Sequence, residues 1–361
     1  MKVLLFGDYS GFHRSLAQGM KEAGHDVIAI SSGDNFKKIS SDINLCNTAD
    51  TRTMYKIFGY FYNLLAILSL CLRRYDIIQL VNPFFYGVRN ARLGKFLLNL
   101  LLSRSRLRSL AVVGCDSFVH KSFLRRELFE GLCKRCSNID YGQETCPYSS
   151  QDTVAWNRKV MNKIDCLVTG YEGAYFEAYS EFRDKQMHPI NLPVNLDEIS
   201  YTINEVREKL TILHGVTRLG FKGSDISLLA MKRLQEEFPE KVELIVVTKL
   251  PYLEYLQKLA ECNIVVDQIY GDVLGLNALI SMAAGKVVLT SYKRALFDHS
   301  CPAIEIRSNA ENIYRQLKNL LGQIESMPKI GSDSRAYVQR FHDHKLIANQ
   351  TLSFWDNLLH T

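Results

Sequence analysis

Little in this chain of 361 residues is extreme. No stretch reaches the roughly 18 uninterrupted apolar residues of a membrane span. The nearest, Ile57–Leu72, is broken by Tyr, Asn and Ser and flanked by Lys56 and Arg73-Arg74. The first residues, Met1-Lys2-Val3-Leu4-Leu5-Phe6-Gly7-Asp8, hold too short an apolar run for a signal-peptide core and read as a first β-strand. There is no internal repeat and no low-complexity tract. There is no large charge of one sign: 44 Lys and Arg stand against 38 Asp and Glu, a formal net of +6, too weak as a mean to argue for nucleic acid. At 47% apolar and 23% charged, the composition excludes wholesale disorder, a collagen-like chain and a disulfide miniprotein. Nine cysteines, an odd number, with no export signal lead one to expect reduced thiols and a cytoplasmic setting.

What is there is an uneven distribution. Residues 1–195 hold 25 Lys and Arg against 18 Asp and Glu, while 196–361 hold 19 against 20. The excess is one block: residues 52–126 carry 13 basic and two acidic residues. The length suggests two domains. Short apolar runs alternate with amphipathic helical patterns almost throughout, which predicts an α/β fold with parallel sheets. Strands are expected at Lys2–Phe6, Val27–Ile30, Asp76–Val81, Ser109–Gly114 and Lys163–Thr169. After Pro189–Asn195, a two-proline stretch read as an extended linker, they resume at Leu210–His214, Val242–Val247, Asn263–Asp267, Val287–Thr290 and Ala303–Ile306. Helices are expected at 12–23, 223–237, 251–261, 275–284, 309–323 and 333–357. Two doubly wound, Rossmann-like domains are the simplest architecture.

Three loops carry candidate chemistry. Gly7-Asp8-Tyr9-Ser10-Gly11-Phe12 joins a strand to a helix. It lacks the third glycine and the downstream acid of a dinucleotide fingerprint, so it reads either as a tight turn or as a substrate-lining loop through Gly11 and Phe12. His214-Gly215-Val216-Thr217-Arg218-Leu219-Gly220-Phe221-Lys222-Gly223 leaves a strand and enters a helix. Arg218 offers a planar fork for phosphate oxygens and Lys222 a point charge. Gly271-Asp272-Val273-Leu274-Gly275-Leu276-Asn277-Ala278-Leu279-Ile280-Ser281-Met282-Ala283-Ala284-Gly285-Lys286 follows a strand ending at Asp267. A helix beginning near Gly275 presents free N–H groups to an anion at the carboxyl ends of the strands.

These last two stretches together resemble the donor half of GT-B glycosyltransferases, of the glycosyltransferase family 4 type. In that family an Arg and a Lys-Gly after the first C-terminal-domain strand bind the donor diphosphate. Two acids with seven residues between them, within a Gly-aliphatic-x-Ala-Leu-Glu-Ala-Met-Ala-x-Gly stretch, bind sugar and ribose. Here the first acid position carries Asp272 and the second Ile280, so that carboxylate is missing. The likeness is sharp over about 75 residues and loose over the rest of the chain. It implies a domain at 1–189 on the acceptor side, holding the basic block and a Cys-containing insertion. It further implies a nucleotide-sugar domain at 196–335 and a C-terminal helix, 336–361, packing back on the first domain. The donor-binding set it implies is His214, Gly215, Arg218, Lys222, Gly223, Gly275, Leu276 and Asn277. Asp116, in Val112-Val113-Gly114-Cys115-Asp116, resembles a cleft loop of some members and would join Asp272 as a catalytic group. The competing reading makes Asp116 the N-cap of the next helix.

Two further signals stand apart. Cys133-Lys134-Arg135-Cys136 and Cys146 offer three ligands for a structural zinc, with Cys115 or His120 as a fourth; reduced thiols are the other reading. The basic block mixes charge with aliphatic bulk, as a surface contacting an anionic bilayer does. Arg89–Arg108 suits that role, and Ile57–Leu72 reads more as a core helix. Nucleic acid ranks last as a partner, because aromatics are not spaced among the charges. The expected activity is therefore sugar transfer from a nucleotide sugar to a glycan or lipid-linked acceptor, retaining and needing no catalytic cofactor or metal, in the cytoplasm or at the inner membrane face. A nucleotide-sugar epimerase and a non-catalytic partner in glycan assembly are the alternatives.

Overall fold

The structure, a computed structural model, describes residues 1–46, 53–83, 91–126, 132–142, 146–171 and 173–361. Residues 52 and 84–90 of the basic block lie outside it. The chain forms two compact units, one of Met1–Val119, Ser150–Pro193 and His344–Thr361, the other of His120–Ser149 and Val194–Asp343.

The first unit contains β1 (Lys2–Phe6), α1 (Phe12–Glu22), β2 (Asp26–Ser31), β3 (Ile43–Asn44), α2 (Thr53–Cys71), β4 (Tyr75–Val81), α3 (Ala91–Leu102), β5 (Ser105–Val112), the start of α4 (Ser117–Leu124), α5 (Gln151–Met161), β6 (Cys166–Gly170), α6 (Ala174–Ala178) and β7 (Gln186–Ile190). Its sheet is parallel, in the order β3-β2-β1-β4-β5-β6-β7. The second unit contains β8 (Leu210–Val216), α7 (Leu219–Lys222), α8 (Ser224–Glu237), β9 (Val242–Thr248), α9 (Tyr252–Ala260), β10 (Ile264–Val266), α10 (Leu276–Ala283), β11 (Val287–Thr290), β12 (Ile304–Glu305), α11 (Ala310–Leu321) and α12 (Met327–Phe341). Its sheet, also parallel, runs β12-β11-β10-β8-β9. The last helix, α13 (His344–His360), returns to the first unit, where it packs on α1, β5 and β7.

The strands are continuous apolar runs because each central strand of a parallel sheet is covered on both faces. Val3, Leu4 and Leu5 of β1 and Ile264, Val265 and Val266 of β10 are fully buried. Helices cover them with apolar stripes such as Ile313, Leu317 and Leu320 of α11, which join Leu210, Ile212, Ile264 and Val287 in the second core. In both sheets the winding direction reverses once, between β1 and β4 and between β8 and β10. Open α/β sheets bind ligands at the carboxyl ends of the strands beside such a reversal.

Three expectations are corrected here. The stretch read as linker begins inside a strand: Pro189 pairs with Thr169 in β7, an edge strand, where a missing N–H costs no ladder bond. The single helix expected at 333–357 is two, broken at His342-Asp343, where the chain passes from the second unit to the first. The Cys-bearing segment, expected in the first domain, packs within the second unit, held by an Arg135–Asp225 ion pair at 2.6 Å and by Asp140 capping α7.

Candidate functional site

The reversal between β8 and β10 gathers several of the expected residues. Lys222 Nζ lies 2.7 Å from Asp267 Oδ1, with the carboxylate only 1% exposed. Asn277 Nδ2 donates to the same oxygen at 2.9 Å. A Cβ at Gly275, the N-cap of α10, would lie 3.8 Å from Asp267 Oδ2, so the open end of α10 adjoins the pair. Burial pushes the Asp267 carboxyl up, but the Lys222 charge and the hydrogen bonds from Lys222 and Asn277 outweigh it and hold the group below the ordinary carboxylate value.

His214, on β8, is fully buried. Its Nδ1 pairs with the Val266 carbonyl at 2.7 Å, and among the described residues its Nε2 has no hydrogen-bond partner. Burial pulls its pKa down to about 4, so the ring is neutral near pH 7. A neutral ring donating from Nδ1 leaves an Nε2 lone pair able to accept a hydroxyl or amide proton. A Cβ added at Gly215, the next residue, would lie 3.6 Å from the Tyr255 ring and 4.0 Å from Val247 Cγ2.

Gly223 joins α7 to α8 at φ +68°, and a Cβ there would lie 2.4 Å from Ile269 Cγ1. Glycine is required twice over, by the left-handed backbone and by the close approach of the loop after β10. That packing, with Ile269 N donating to Lys222 O at 3.2 Å, sets Lys222 beside Asp267. Leu276 and Asn277 open α10 and are half-buried. Asp272 is buried at 3% exposure, and its carbonyl accepts from Lys293 N at 2.9 Å. Ile280 is 8% exposed on α10, an apolar side chain at the second acid position.

Arg218 is engaged by the Cys-bearing segment. Its guanidinium donates to Cys136 Sγ at 2.7 Å and stacks 4.0 Å over the Phe221 ring. The amides of Gly220 and Phe221 donate to the Asp140 carboxylate at 2.9 and 2.8 Å. The anion place at the start of α7 is thus taken by the chain's own carboxylate, and α10 offers the open amides. The sequence names His214 for the donor but neither Asp267 nor Asp140. An acid closing the apolar run Asn263–Asp267 was the one local signal; Asp140 comes from 80 residues upstream of its partner and gave none.

The zinc expectation does not fit this arrangement. Among the described residues the sulfurs of Cys133, Cys136 and Cys146 do not gather, with or without Cys115 or His120, as a set of ligand atoms within 4.8 Å of one another. No disulfide joins any of the nine cysteines.

In the first unit the equivalent reversal places Gly11 at the N-cap of α1, φ +88°. Phe12, expected to face an acceptor, is 0% exposed and belongs to the core. Asp116 is also 0% exposed. One of its oxygens accepts from the Phe118 and Val119 amides at 2.8 and 2.9 Å, the other from Tyr179 Oη at 2.6 Å and from Asn82 Nδ2. Four donors saturate the carboxylate, so Asp116 is the N-cap of α4, and a catalytic role facing a sugar is not available to it.

No protein-family model matches the chain, and no curated protein does. Solved structures share its fold along its whole length. Sucrose-phosphate synthase from Thermosynechococcus elongatus superposes with a TM-score of 0.64 at 13% identity, covering 100% of both chains. Alr3699/HepE of Anabaena, solved in complex with UDP and glucose, gives 0.59 at 12% identity over 98% of this chain and 99% of the other. A UDP-N-acetylglucosamine 2-epimerase gives 0.52 at 14% identity over 98% and 94%. The fold is the doubly wound, two-unit α/β type, GT-B, that the sequence led us to expect.

Proposed function

We propose that the chain transfers a sugar from a nucleoside-diphosphate-sugar donor to a glycan or lipid-linked acceptor. The observation that carries this reading is the meeting of Lys222, Asn277, Asp267 and His214 with the open start of α10 at the β8/β10 reversal. Such a place suits a phosphate: the start of α10 supplies positive potential, Lys222, paired with Asp267 in the free protein, turns its charge to the incoming phosphate, and a neutral imidazole accepts from a neutral hydroxyl or amide. Lys222 neutralises charge growing on the departing diphosphate, and Arg218 joins it once released from Cys136. The amides at the start of α10 orient the phosphates, and Asp272 holds a donor-sugar hydroxyl. Transfer with retention at the anomeric carbon and without a catalytic metal remains part of the proposal, resting on the motif resemblance. The fold itself hosts transferases and an epimerase alike, so the site, not the fold, supports the choice.

A specific observation favours one second reading, a binding partner without activity. Ile280 replaces the acid that would accept ribose hydroxyls, and isoleucine offers no acceptor. Calorimetry with UDP, ADP and GDP and their sugars separates the readings. Binding of one nucleotide sugar, weakened at least about tenfold in Lys222→Ala, with turnover in the presence of acceptor, supports transfer. Binding without turnover supports the partner. No binding to any of them sinks transfer and favours the partner.

A further inference from the structure

Helix α2 is turned the wrong way for a globular protein. It buries Gly59, Asn63, Ile67, Leu70 and Cys71, and exposes Phe58 (67%), Phe61 (55%), Tyr62 (48%), Leu65 (66%) and Leu68 (37%), with Leu72 (86%) just past its end. The exposed residues follow a spacing of three and four, so at 3.6 residues per turn they form one continuous stripe. The buried set contains a glycine and an asparagine where the exposed set contains two phenylalanines. A stripe of this length on one helix is far from the scattered apolar residues normal on a surface.

The rotation is fixed by polar contacts. Asn63 is fully buried, accepts from Cys46 N at 2.8 Å and donates to Cys46 O at 3.0 Å. A Cβ at Gly59 would lie 3.0 Å from Cys46 Cβ, so the helix presses there against the backbone after β3. Turning the aromatic stripe inward would carry Asn63 out to water and take both of its bonds from the Cys46 N–H and C=O. The outward stripe is thus specified by the fold.

Charge identifies what covers it. Residues 52–108 hold ten Lys and Arg and a single acid, Asp76. That acid is already engaged by Lys2 N at 2.8 Å and Arg106 at 3.5 Å. Arg73 and Arg74 are exposed at the end of α2. The Tyr75 amide donates to Arg104 O at 2.9 Å, which brings Arg104, at the end of α3, beside them. Arg92 and Lys95 are exposed on α3, which packs on α2. An apolar stripe with aromatics, bordered by arginines, in a segment whose one acid is already paired, complements a layer of acyl chains beneath anionic headgroups.

We propose that the exposed face of α2, with the arginines at its end and those of α3, docks this protein on an anionic bilayer. Among the described residues no helix is long and apolar enough to cross a membrane, so the contact is made at the surface. The sequence assigned this role to Arg89–Arg108 and a core role to Ile57–Leu72. The structure reverses the two, for Leu97, Leu98, Leu101 and Leu102 of α3 are buried and Phe96 is its one exposed large apolar residue among those described. The proposal is independent of the nucleotide reading.

Vesicle flotation of the full chain tests it. Vesicles of phosphatidylcholine with added phosphatidylglycerol should carry the protein up, pure phosphatidylcholine far less, and high salt should weaken the anionic binding. Phe58→Ser with Phe61→Ser and Leu65→Ser should lower the partition coefficient at least about tenfold, as should Arg73→Glu with Arg74→Glu. The altered side chains are exposed, so both variants should keep the parental melting temperature and nucleotide titration. If the parent stays at the bottom with anionic vesicles, or floats equally after the triple substitution, the proposal fails. It also fails if light scattering shows a dimer that the triple substitution dissociates while vesicles are ignored, for then a second copy covers the stripe.

Discussion

Lys222 Nζ stands 2.7 Å from Asp267 Oδ1, and that oxygen also accepts from Asn277 at 2.9 Å. The pair is nearly dry, with the lysine side chain 15% exposed and the carboxylate 1%. Removing one member leaves a buried charge with no counter-charge. Lys222→Met should therefore cost roughly 3–5 kcal/mol in urea denaturation. Adding Asp267→Asn should return most of that loss, because the uncompensated charge is gone. The double variant should still fail to bind a nucleotide. If Lys222→Met alone is as stable as the parent, the lysine faces solvent and the pair is not structural. The acid limb gives a second check. A folded-state pKa below the ordinary 3.8 means that the stabilisation is complete above 3.8 and disappears as pH falls through the folded value.

Gly223 should be intolerant in two separable ways. Its φ of +68° costs alanine roughly 1–2 kcal/mol, and the Cβ would meet Ile269 Cγ1 at 2.4 Å. Gly223→Ala should lower stability by the sum of the two, about 2–5 kcal/mol. Pairing it with Ile269→Ala should not restore the parent, because the backbone strain persists and a cavity is added. Equal stability of Gly223→Ala and parent in chemical denaturation would rule out the strained turn.

Asp116 separates a structural carboxylate from a catalytic one. Asp116→Ala strips four donors of their acceptor, namely two amides, the Asn82 amide and the Tyr179 hydroxyl. Each buried donor left unpaired costs about 1–3 kcal/mol, so the first unit should melt early or fail to fold. Asp116→Asn, which keeps one acceptor, should fold with reduced stability and keep its turnover once folded. A variant of parental stability that has lost turnover would instead make Asp116 catalytic.

How far the sequence goes can be judged from particular elements. β1 and β11 were placed to the residue, because an apolar run bounded by Gly or polar residues has no other use in a covered parallel sheet. Helices 224–237, 252–260, 276–283 and 310–321 came within two residues of expectation for the same reason. Long-range geometry was not legible. Nothing local says that Asp140 reaches the α7 amides or that Asp116 is saturated by Tyr179, since both depend on tertiary neighbours 63 to 81 residues away. The outward stripe of α2 also escaped, because its apolar content alone is what a core helix would show. Only the Asn63 bond to Cys46 decides which side faces in.

Asp8 supplies a pH test confined to one group. Its carboxylate accepts from the His13 and Arg14 amides, both at 3.2 Å, beneath the start of α1. Burial pushes its pKa from 3.8 to about 7, against the lowering effect of those amides and of Lys37. A carboxyl whose folded-state value is raised favours the folded state when protonated. Its contribution is whole below 3.8 and is lost as pH rises through about 7. Asp8→Asn is neutral throughout and keeps one oxygen for the helix start. The stability of parent minus variant should therefore decline between those values and be flat above them, a total change on the order of a few kcal/mol. Urea midpoints for both proteins across that range measure it directly, because titrating groups not coupled to Asp8 cancel in the difference. A difference that does not vary with pH would mean that Asp8 ionises in the folded protein as it does in the unfolded chain.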